Sequence, residues 1–140
     1  MHEELSLDNT VDRARCADFW AAYCRASKLS ESTPYQAWYF GDSPQLAHEL
    51  VELVLHGPKR ATAGLGWTTD ALPHTAAVPD GYSVVTEFDG APRAVIRTSG
   101  LERRKFREVD AAFAWDEGEG DRTLEDWKRG HWQYFSRECE

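Results

Sequence analysis

The middle of the sequence carries the pattern of a β-hairpin. Two strand-like segments, residues 82–88 and 92–98, are joined through Asp89 and Gly90, a dipeptide favoured in tight turns whose central residues take positive φ. A third strand, residues 101–106, is predicted to continue the meander. Because helical patterns lie on both sides of these strands, the sequence predicts an α+β domain whose sheet curls into a small barrel.

The helical pattern at residues 44–56 has the clearest ends. Ser43 precedes it as the N-cap, Pro44 takes the first helical position and Gly57 follows as the C-terminal cap. Apolar residues recur along one face at the spacing of an α-helix: Leu46, Leu50, Leu53 and Val54. The sequence therefore predicts an amphipathic helix here.

Two further helices are predicted near the ends of the chain. In residues 8–28 an apolar face is formed by Cys16, Phe19, Trp20, Tyr23 and Cys24. The last helix starts at Thr123, whose hydroxyl is expected to cap it while Asp126 closes the capping box. Its apolar side, expected to seal one face of the barrel, consists of Leu124, Trp127, His131, Tyr134 and Phe135.

Shorter segments connect these elements. Residues 35–40 are predicted to enter the core as an extended piece, and residues 61–68 to form a strand or extended backbone. Residues 69–79, which contain two prolines, favour a loop. A short helix at residues 109–115 is expected to lead into the acidic, glycine-broken stretch at residues 116–121.

Composition limits the partners. The 140 residues suit one domain, and the formal net charge of −8 with a pI near 5.1 repels long polyanions. No stretch approaches the roughly 18 apolar residues of a membrane span, and the N-terminus is acidic where a secretory signal would be basic. We expect a soluble cytoplasmic protein without a membrane partner.

Neither a metal site nor a cofactor is expected. The three cysteines, Cys16, Cys24 and Cys139, form no C-x-x-C pair and lie far in sequence from any histidine cluster. They are interpreted as buried or idle thiols. The glycine-rich, zinc-binding and nucleophile-elbow motifs of common enzyme families are absent from the sequence.

Two charged clusters are the candidate sites. Lys59 and Arg60, followed by Thr62, lie where a helix is predicted to end, although cations are also common there because the helix dipole stabilises them. Glu117 and Glu119 flank Gly118 in a turn that could aim a carboxylate into a cleft; the alternative is a solvated acidic loop. A stacking surface for a nucleobase could be included among five tryptophans, which could instead belong to the core: Trp38, Trp67, Trp115, Trp127 and Trp132. Trp67 stands out because it follows the Lys59–Thr62 segment.

Two separated phrases resemble the ASCH domain family. They are WYFGDSPQLAHELVELVLHGPKRATAGLGW, beginning at Trp38, and EGEGDRTLEDWKRGHWQYF, beginning at Glu117. The resemblance covers about residues 35–135, so residues 35–140 are predicted to form the ASCH domain and residues 1–34 an added helical extension. It implies a PUA-like open β-barrel with surrounding helices, an architecture often discussed as RNA-binding.

The resemblance also implies a site. Some ASCH proteins are amidohydrolases that remove the acetyl group of N4-acetylcytidine with a Lys, a Thr three residues later and a Glu, and others are reported as ribonucleases. The G-x-K-x-x-T pattern falls on Gly57, Lys59 and Thr62, and the acid on Glu119, with Glu117 the near alternative. Substrate contacts are then expected from Trp38, Arg60, Trp67 and Glu117. Pro58 and Arg60 depart from the small amidohydrolases, which tend to have a cation and a Thr there.

Three functions follow as alternatives. In an amidohydrolase, Thr62 would be the nucleophile or position a water, Lys59 would be the base or stabilise an oxyanion, and Glu119 would carry a proton to the leaving amine. A ribonuclease would use Lys59 on the phosphate and a basic patch: Arg60, Arg97, Arg103, Arg104 and Lys105. A binding module would hold single-stranded RNA or a nucleoside without chemistry. The charge favours the small nucleoside; Lys59→Ala is expected to abolish hydrolysis and leave the fold intact, and a homodimer is left open.

Overall fold

The computed structural model describes residues 12–71 and 76–139, with the side chains of Trp67 and Thr69 outside the description. Five α-helices, three strands and one 3₁₀ turn occupy the described part of the chain. In order they are α1 (Arg13–Ser27), β1 (Tyr35–Tyr39), α2 (Pro44–His56), α3 (Gly66–Ala71), β2 (Tyr82–Thr86), β3 (Pro92–Arg97), the 3₁₀ turn (Phe106–Glu108), α4 (Ala111–Glu117) and α5 (Leu124–Glu138).

The three strands form one mixed sheet. Strand β2 lies in the middle, parallel to β1 and antiparallel to β3, with Tyr82 opposite both Tyr35 and Arg97. The β2–β3 register shifts between Val85 and Thr86, as at a β-bulge. The predicted α+β class is confirmed, whereas the PUA-like barrel is not, because β1 and β3 are the two edges of this sheet among the described residues.

Each face of the sheet is covered by one helix. Consecutive residues of a strand point to opposite faces, so Val84 and Val85 in the central strand enter two different cores. Val84 packs with Cys16, Trp20 and Cys24 of α1. The second core consists of Phe40, Val51, Val85 and Ala94. Helix α1 therefore belongs to the folded unit, and residues 8–11 of its predicted range lie outside the described residues.

The helix ends follow their local signals. Helix α2 has its predicted bounds, and the Ser43 side chain accepts a hydrogen bond from the Leu46 amide at 3.1 Å. Helix α4 lies two residues later than predicted, at Ala111–Glu117. Thr123 caps α5 as predicted, but its own amide is bound by Asp121 at 2.8 Å, so Asp126 does not close the box as the sequence suggested.

The hairpin is present, with a different turn. Its strands are β2 and β3, and the Glu87 amide donates to the Ala91 carbonyl at 2.8 Å across the turn. Of the two central residues only Gly90 has positive φ, at 93°. The expectation of positive φ at Asp89 was wrong, because the turn is longer than a two-residue connection.

No strand forms at residues 61–68, which were predicted as a strand or extended backbone, or at residues 101–106, which were predicted as a strand. Residues 61–65 have no regular structure and helix α3 begins at Gly66, while residues 101–105 are irregular and lead into the 3₁₀ turn. All five residues from 101 to 105 are exposed, so they have no apolar face to bury against the sheet. In the first segment the Ala61 carbonyl accepts from the Lys59 side chain at 2.8 Å, which diverts a backbone acceptor from strand pairing.

The length and polarity of the helices decide whether any of them could cross a membrane. Across residues 12–71 and 76–139, no helix has the length and apolar character required to cross a bilayer.

Candidate functional site

A buried lysine is the centre of the candidate site. The chain leaves α2 at Gly57 and turns inward, so that the Lys59 side chain is only 2% exposed. Its Nζ donates to the Ala61 carbonyl at 2.8 Å, to Glu117 Oε1 at 2.7 Å and to Glu119 Oε2 at 2.5 Å. A buried ammonium requires such partners, because leaving it unpaired away from water is costly. The two predicted clusters are therefore brought together.

Glu117 is the fixed member of the pair of acids. It ends α4, and its side chain is 1% exposed. Oε1 accepts from Lys59, while Oε2 accepts from Trp127 Nε1 at 3.0 Å and lies 3.2 Å from His131 Nε2. Both carboxylate oxygens are thus engaged. This arrangement leaves no side-chain surface of Glu117 for direct contact with a substrate.

Glu119 is the accessible member. Its side chain is 27% exposed and bonds Lys59 from the side facing solvent. Burial raises the pKa of the Glu119 carboxyl, and so do its hydrogen bond to Glu117 and the negative charge of that neighbour; the Lys59 charge opposes these effects. A carboxyl with a raised pKa that reaches solvent is suited to accept and release a proton.

The environment of Glu117 has the opposite effect on its carboxyl. Burial alone would raise the pKa of Glu117, but the hydrogen bonds from His131, Glu119 and Lys59 lower it to about 2. Two adjacent carboxyls are therefore separated in acidity, with Glu117 the anion and Glu119 the proton carrier. Such pairs are typical of acid and base roles in enzymes.

His131 completes the cluster from α5. Its ring stacks on Trp127 with centroids 4.2 Å apart, and Nδ1 lies 2.9 Å from the Trp127 carbonyl. Burial would lower the pKa of His131, but its hydrogen bond to Glu117 and the negative charge of that carboxylate outweigh burial and raise the pKa. The helical spacing predicted His131 on the buried side of the last helix, but no motif in the sequence connects it to Glu117.

Backbone contacts hold the segment that carries Lys59 beside the segment that carries Glu117 and Glu119. The Arg60 amide donates to the Asp116 carbonyl at 2.7 Å, directly beside the side-chain bond of Lys59 to Glu117. Gly118 then reverses the chain with φ of 67°, which lets Glu119 approach Lys59 from the outer side. A Cβ on Gly118 would lie 2.7 Å from the Lys59 amide nitrogen and from the Pro58 carbonyl carbon.

Replacing Gly118 with alanine is expected to destabilise the protein and displace the site. An L-residue with positive φ costs about 1–2 kcal/mol, and the backbone contacts at 2.7 Å add to that cost. Gly130→Ala is the matched control, since its Cβ meets nothing within 4 Å and alanine favours a helix. Urea unfolding should show a loss for the first variant and a gain for the second; equal stabilities would contradict the proposed close packing at Gly118.

The remaining residues predicted for the site have different surroundings. Thr62 is exposed and lies two residues after Arg60 in the sequence. Among the described residues, its hydroxyl makes no hydrogen bond to Lys59 or Glu119. Arg60 is exposed, and its guanidinium donates to the carbonyls of Lys59 at 2.7 Å and Gly57 at 3.1 Å. The backbone near Thr62 is nevertheless tied to the centre through the Ala61 carbonyl.

The two tryptophans predicted to contact substrate fall in different positions. Trp38 is half-buried in β1 and packs edge-on against Phe40, with ring centroids 4.9 Å apart. The Phe40 ring in turn lies 5.3 Å from Lys59 Nζ, a cation–π distance, so Trp38 is one ring removed from the ammonium. Trp67 lies in α3 rather than on a strand, and its side chain is outside the described residues.

Metal binding would require the cluster to rearrange. Ligand atoms of Glu117, Glu119 and His131 lie within 4.8 Å of one another, a spacing that could hold an ion. The Lys59 ammonium already bonds both carboxylates, so a divalent cation would have to displace it.

Comparison with known proteins identifies the family. The family model of the ASCH domain matches residues 36–140, about three quarters of the chain. The chain therefore belongs to the ASCH domain family, and helix α1 lies before the matched region. None of the curated proteins compared with the chain matches it.

Two solved structures share the fold. One is described as an ASCH domain from Lactobacillus crispatus JV V101; it is 29% identical, with a TM-score of 0.77, and the match covers 90% of this chain and 81% of that one. The other is a protein from Enterococcus faecalis V583 described under the family name DUF984; it is 27% identical, with a TM-score of 0.79, covering 89% of this chain and 75% of that one. The first of these matches supports the predicted family on structural grounds as well.

Proposed function

We propose that this ASCH domain protein is a cytoplasmic hydrolase that acts on the amide of a modified nucleoside of the N4-acetylcytidine type, through Lys59, Thr62 and Glu119. The observation that carries the proposal is the pairing of a buried ammonium with a solvent-reaching carboxyl at 2.5 Å. Amide hydrolysis needs a cation for the oxyanion and a group that moves a proton from the nucleophile to the leaving nitrogen.

In this proposal Lys59 stabilises the developing oxyanion. Its Nζ donates to the Ala61 carbonyl, to Glu117 Oε1 and to Glu119 Oε2, and the Glu117 carbonyl is a fourth acceptor at 3.3 Å. Of these acceptors Glu119 is the one whose side chain reaches solvent. When Glu119 turns to the substrate, the N–H that it accepted becomes available to the acyl oxygen. This favours the oxyanion role of Lys59 over the role of a general base, which an ammonium cannot fill.

Glu119 moves the proton in both halves of the reaction. As a carboxylate it takes a proton from the attacking hydroxyl or water, and as a carboxylic acid it gives that proton to the leaving nitrogen. If water attacks, the acyl carbon–nitrogen bond breaks, a carbon–oxygen bond forms, and the products are acetate and the free nucleoside. If the Thr62 hydroxyl attacks, the nucleoside leaves first and an acetyl-threonine ester remains; Glu119 then takes a proton from a water molecule, which attacks the ester, and acetate is released as the Thr62 hydroxyl is restored. One water is consumed in either case. Glu117 stays ionised throughout and is assigned here as a positioning residue rather than as a substrate contact.

Thr62 is proposed to supply or to position the attacking oxygen. Thr62 is exposed and follows Ala61, whose carbonyl accepts from Lys59 at 2.8 Å, so the backbone keeps Thr62 in the neighbourhood of the ammonium. Arg60 and Trp38 are proposed to border the substrate beside the same ammonium, and Trp67 on the next element. An approaching ring could then stack without displacing the buried pair.

Charge pairing argues against long RNA as the substrate. Three of the four arginines that could have formed a basic patch are bonded to acids: Arg97 to Asp80 at 3.3 Å, Arg103 to Asp70 at 2.9 Å, and Arg104 to Glu102 at 3.0 Å. A paired guanidinium offers little net charge to a phosphate backbone. Together with the net charge of −8, this favours a small neutral substrate over a ribonuclease or an RNA-binding module.

The test is hydrolysis of N4-acetylcytidine beside a short single-stranded RNA, followed by chromatography and mass spectrometry. Wild type is expected to release cytidine, and Glu119→Gln, which keeps the side-chain volume, to be slower by about 10²–10⁴-fold because it cannot carry the proton. RNA cleavage or salt-sensitive RNA retention without release of cytidine would contradict the proposal.

Variants of Thr62 distinguish its two proposed roles, nucleophile and water-positioning residue. If the hydroxyl is the nucleophile, Thr62→Ala abolishes turnover, Thr62→Ser retains it, and an acyl-enzyme accumulates in a burst. If it positions a water, Thr62→Ala retains a measurable fraction of activity and no acyl-enzyme forms. Because Thr62 is exposed, neither substitution is expected to alter folding.

A further inference from the structure

The ring of His131 contacts two acceptors at once. Nδ1 lies 2.9 Å from the Trp127 carbonyl oxygen, and Nε2 lies 3.2 Å from Glu117 Oε2. The side chain is 13% exposed, and its face is covered by the Trp127 indole. Neither nitrogen therefore depends on water for its partner.

These two contacts determine which ring nitrogens of His131 carry a proton. A carbonyl oxygen can only accept, so Nδ1 must carry a proton. Glu117 Oε2 is also an acceptor, already bonded by Trp127 Nε1 at 3.0 Å, so Nε2 must carry a proton as well whenever Glu117 is ionised. The alternative would turn a nitrogen lone pair towards a carboxylate oxygen. The geometry is that of a doubly protonated, cationic imidazole.

We propose that His131 is the positioning residue that keeps Glu117 ionised and thereby assigns the exchangeable proton of the carboxyl pair to Glu119. The proposal rests on the function proposed above. Glu117 is held from both ends, by the Lys59 ammonium on Oε1 and by His131 on Oε2. Glu119 has the ammonium only. A proton entering the cluster therefore goes to the carboxyl that has one cationic partner rather than two.

The charged groups around His131 are few among the described residues. Glu117 faces it from the end of α4, Glu119 from the following turn, and Lys59 lies beyond Glu117. Its other neighbours are aromatic: Trp127 and Phe135 on its own helix. The cluster has two cations and one fixed anion, so its net charge alternates between +1 and 0 as Glu119 gains and loses one proton.

The first test measures protonation and needs no substrate. In nitrogen and carbon NMR of the wild type, both ring nitrogens of His131 should be protonated at pH 6 and stay so above the usual histidine value of about 6.5. The Glu117 carboxyl should not titrate between pH 4 and 8, while that of Glu119 should. A histidine that titrates at or below about 6.5, or a neutral ring at pH 6, would overturn the proposal.

The second test removes the charge with little change in length. His131→Gln can still donate one hydrogen bond to Glu117 but cannot be a cation. In this variant the Glu117 carboxyl is expected to begin titrating between pH 4 and 8, because the proton is now shared between the two acids. An unchanged Glu117 signal would mean that His131 only packs against Trp127.

Kinetics supply the third readout. His131→Gln is expected to lower kcat by about tenfold to 100-fold with little change in KM, and to move the carboxyl limb of the pH profile to higher pH. Trp127→Phe removes a neutral hydrogen bond from the same oxygen without removing a charge, so the carboxyl limb of its pH profile should move less than in His131→Gln. An unmoved limb in His131→Gln would overturn the proposal. If the NMR results hold and no amide is hydrolysed, the proposed function fails and the role of His131 stands.

The free energy of unfolding of the wild type should also depend on the charge of His131. A histidine with a raised pKa contributes stability that is fully present below about pH 6.5 and is lost as pH rises through its folded value. His131→Gln should therefore lose more stability at pH 6 than at pH 9 in urea unfolding. A loss independent of pH would indicate packing alone.

Discussion

Glu117→Gln is expected to destabilise the protein by about 3–5 kcal/mol, a large part of the stability of a small domain. The wild-type carboxylate accepts from Lys59 on one oxygen and from Trp127 and His131 on the other. An amide has one acceptor oxygen and one NH₂ group. Whichever way the glutamine turns, its NH₂ faces either an ammonium or two N–H donors, and a buried cation loses its partner. Urea unfolding of wild type and variant measures the loss.

Glu119→Gln is the matched control for this experiment. It makes the same chemical change two residues away, on a side chain that is 27% exposed, where water can replace the lost contact. We expect a loss of less than about 1 kcal/mol for this control. Similar losses for the two variants would show that burial of Glu117 does not set the stability of the site, and would remove the distinction between fixed and accessible acids.

Local signals were sufficient for the elements whose ends are chemically marked. Ser43, Pro44 and Gly57 define α2 because a cap, a restricted φ and a helix-ending glycine act within a few residues of the chain. The hairpin followed from two apolar segments and a turn dipeptide. In each case the interactions that decide the structure are close in sequence.

The missed strands show the limit of that reasoning. Residues 61–65 look extended in the sequence, but a strand exists only where a partner strand and a buried face are available. The Ala61 carbonyl is instead bound by a side chain, and residues 101–105 have no buried face. Both outcomes depend on contacts with distant parts of the chain that no local pattern specifies.

The candidate site was predictable in its parts but not in its assembly. Lys59 and Glu119 were candidates from the charge pattern and received their roles from the family resemblance, and the structure brings them together across 60 positions of sequence. The alternative of a solvated acidic loop is wrong for Glu117. Its side chain is buried, and its carboxylate contacts a lysine that follows α2 and two side chains of α5. Only the spacing of Trp127 and His131 on one helix face indicated that polar groups were turned inward.

Burial of Lys59 changes what its removal should do. The sequence suggested that Lys59→Ala would abolish hydrolysis and leave the fold intact. The side chain is 2% exposed and is one of the partners that hold Glu117, so truncation would open a cavity and leave Glu117 with its other contacts only. A variant of similar length without the charge separates the chemical role from the packing role better than alanine does.

Lys59→Met is expected to lower turnover of the amide by about 10²–10³-fold, because the Lys59 ammonium is the cation that bonds Glu119 directly and is proposed to stabilise the oxyanion there. Stability should fall by about 1–3 kcal/mol through the lost hydrogen bonds, less than in Glu117→Gln because Glu117 keeps Trp127 and His131. Rates are compared at a temperature where near-ultraviolet circular dichroism shows the variant folded. Arg129→Ala, which removes an exposed cation paired with Asp126, is the control and should keep full activity. Wild-type turnover in folded Lys59→Met would exclude Lys59 from the chemistry and leave the buried cluster a purely structural feature.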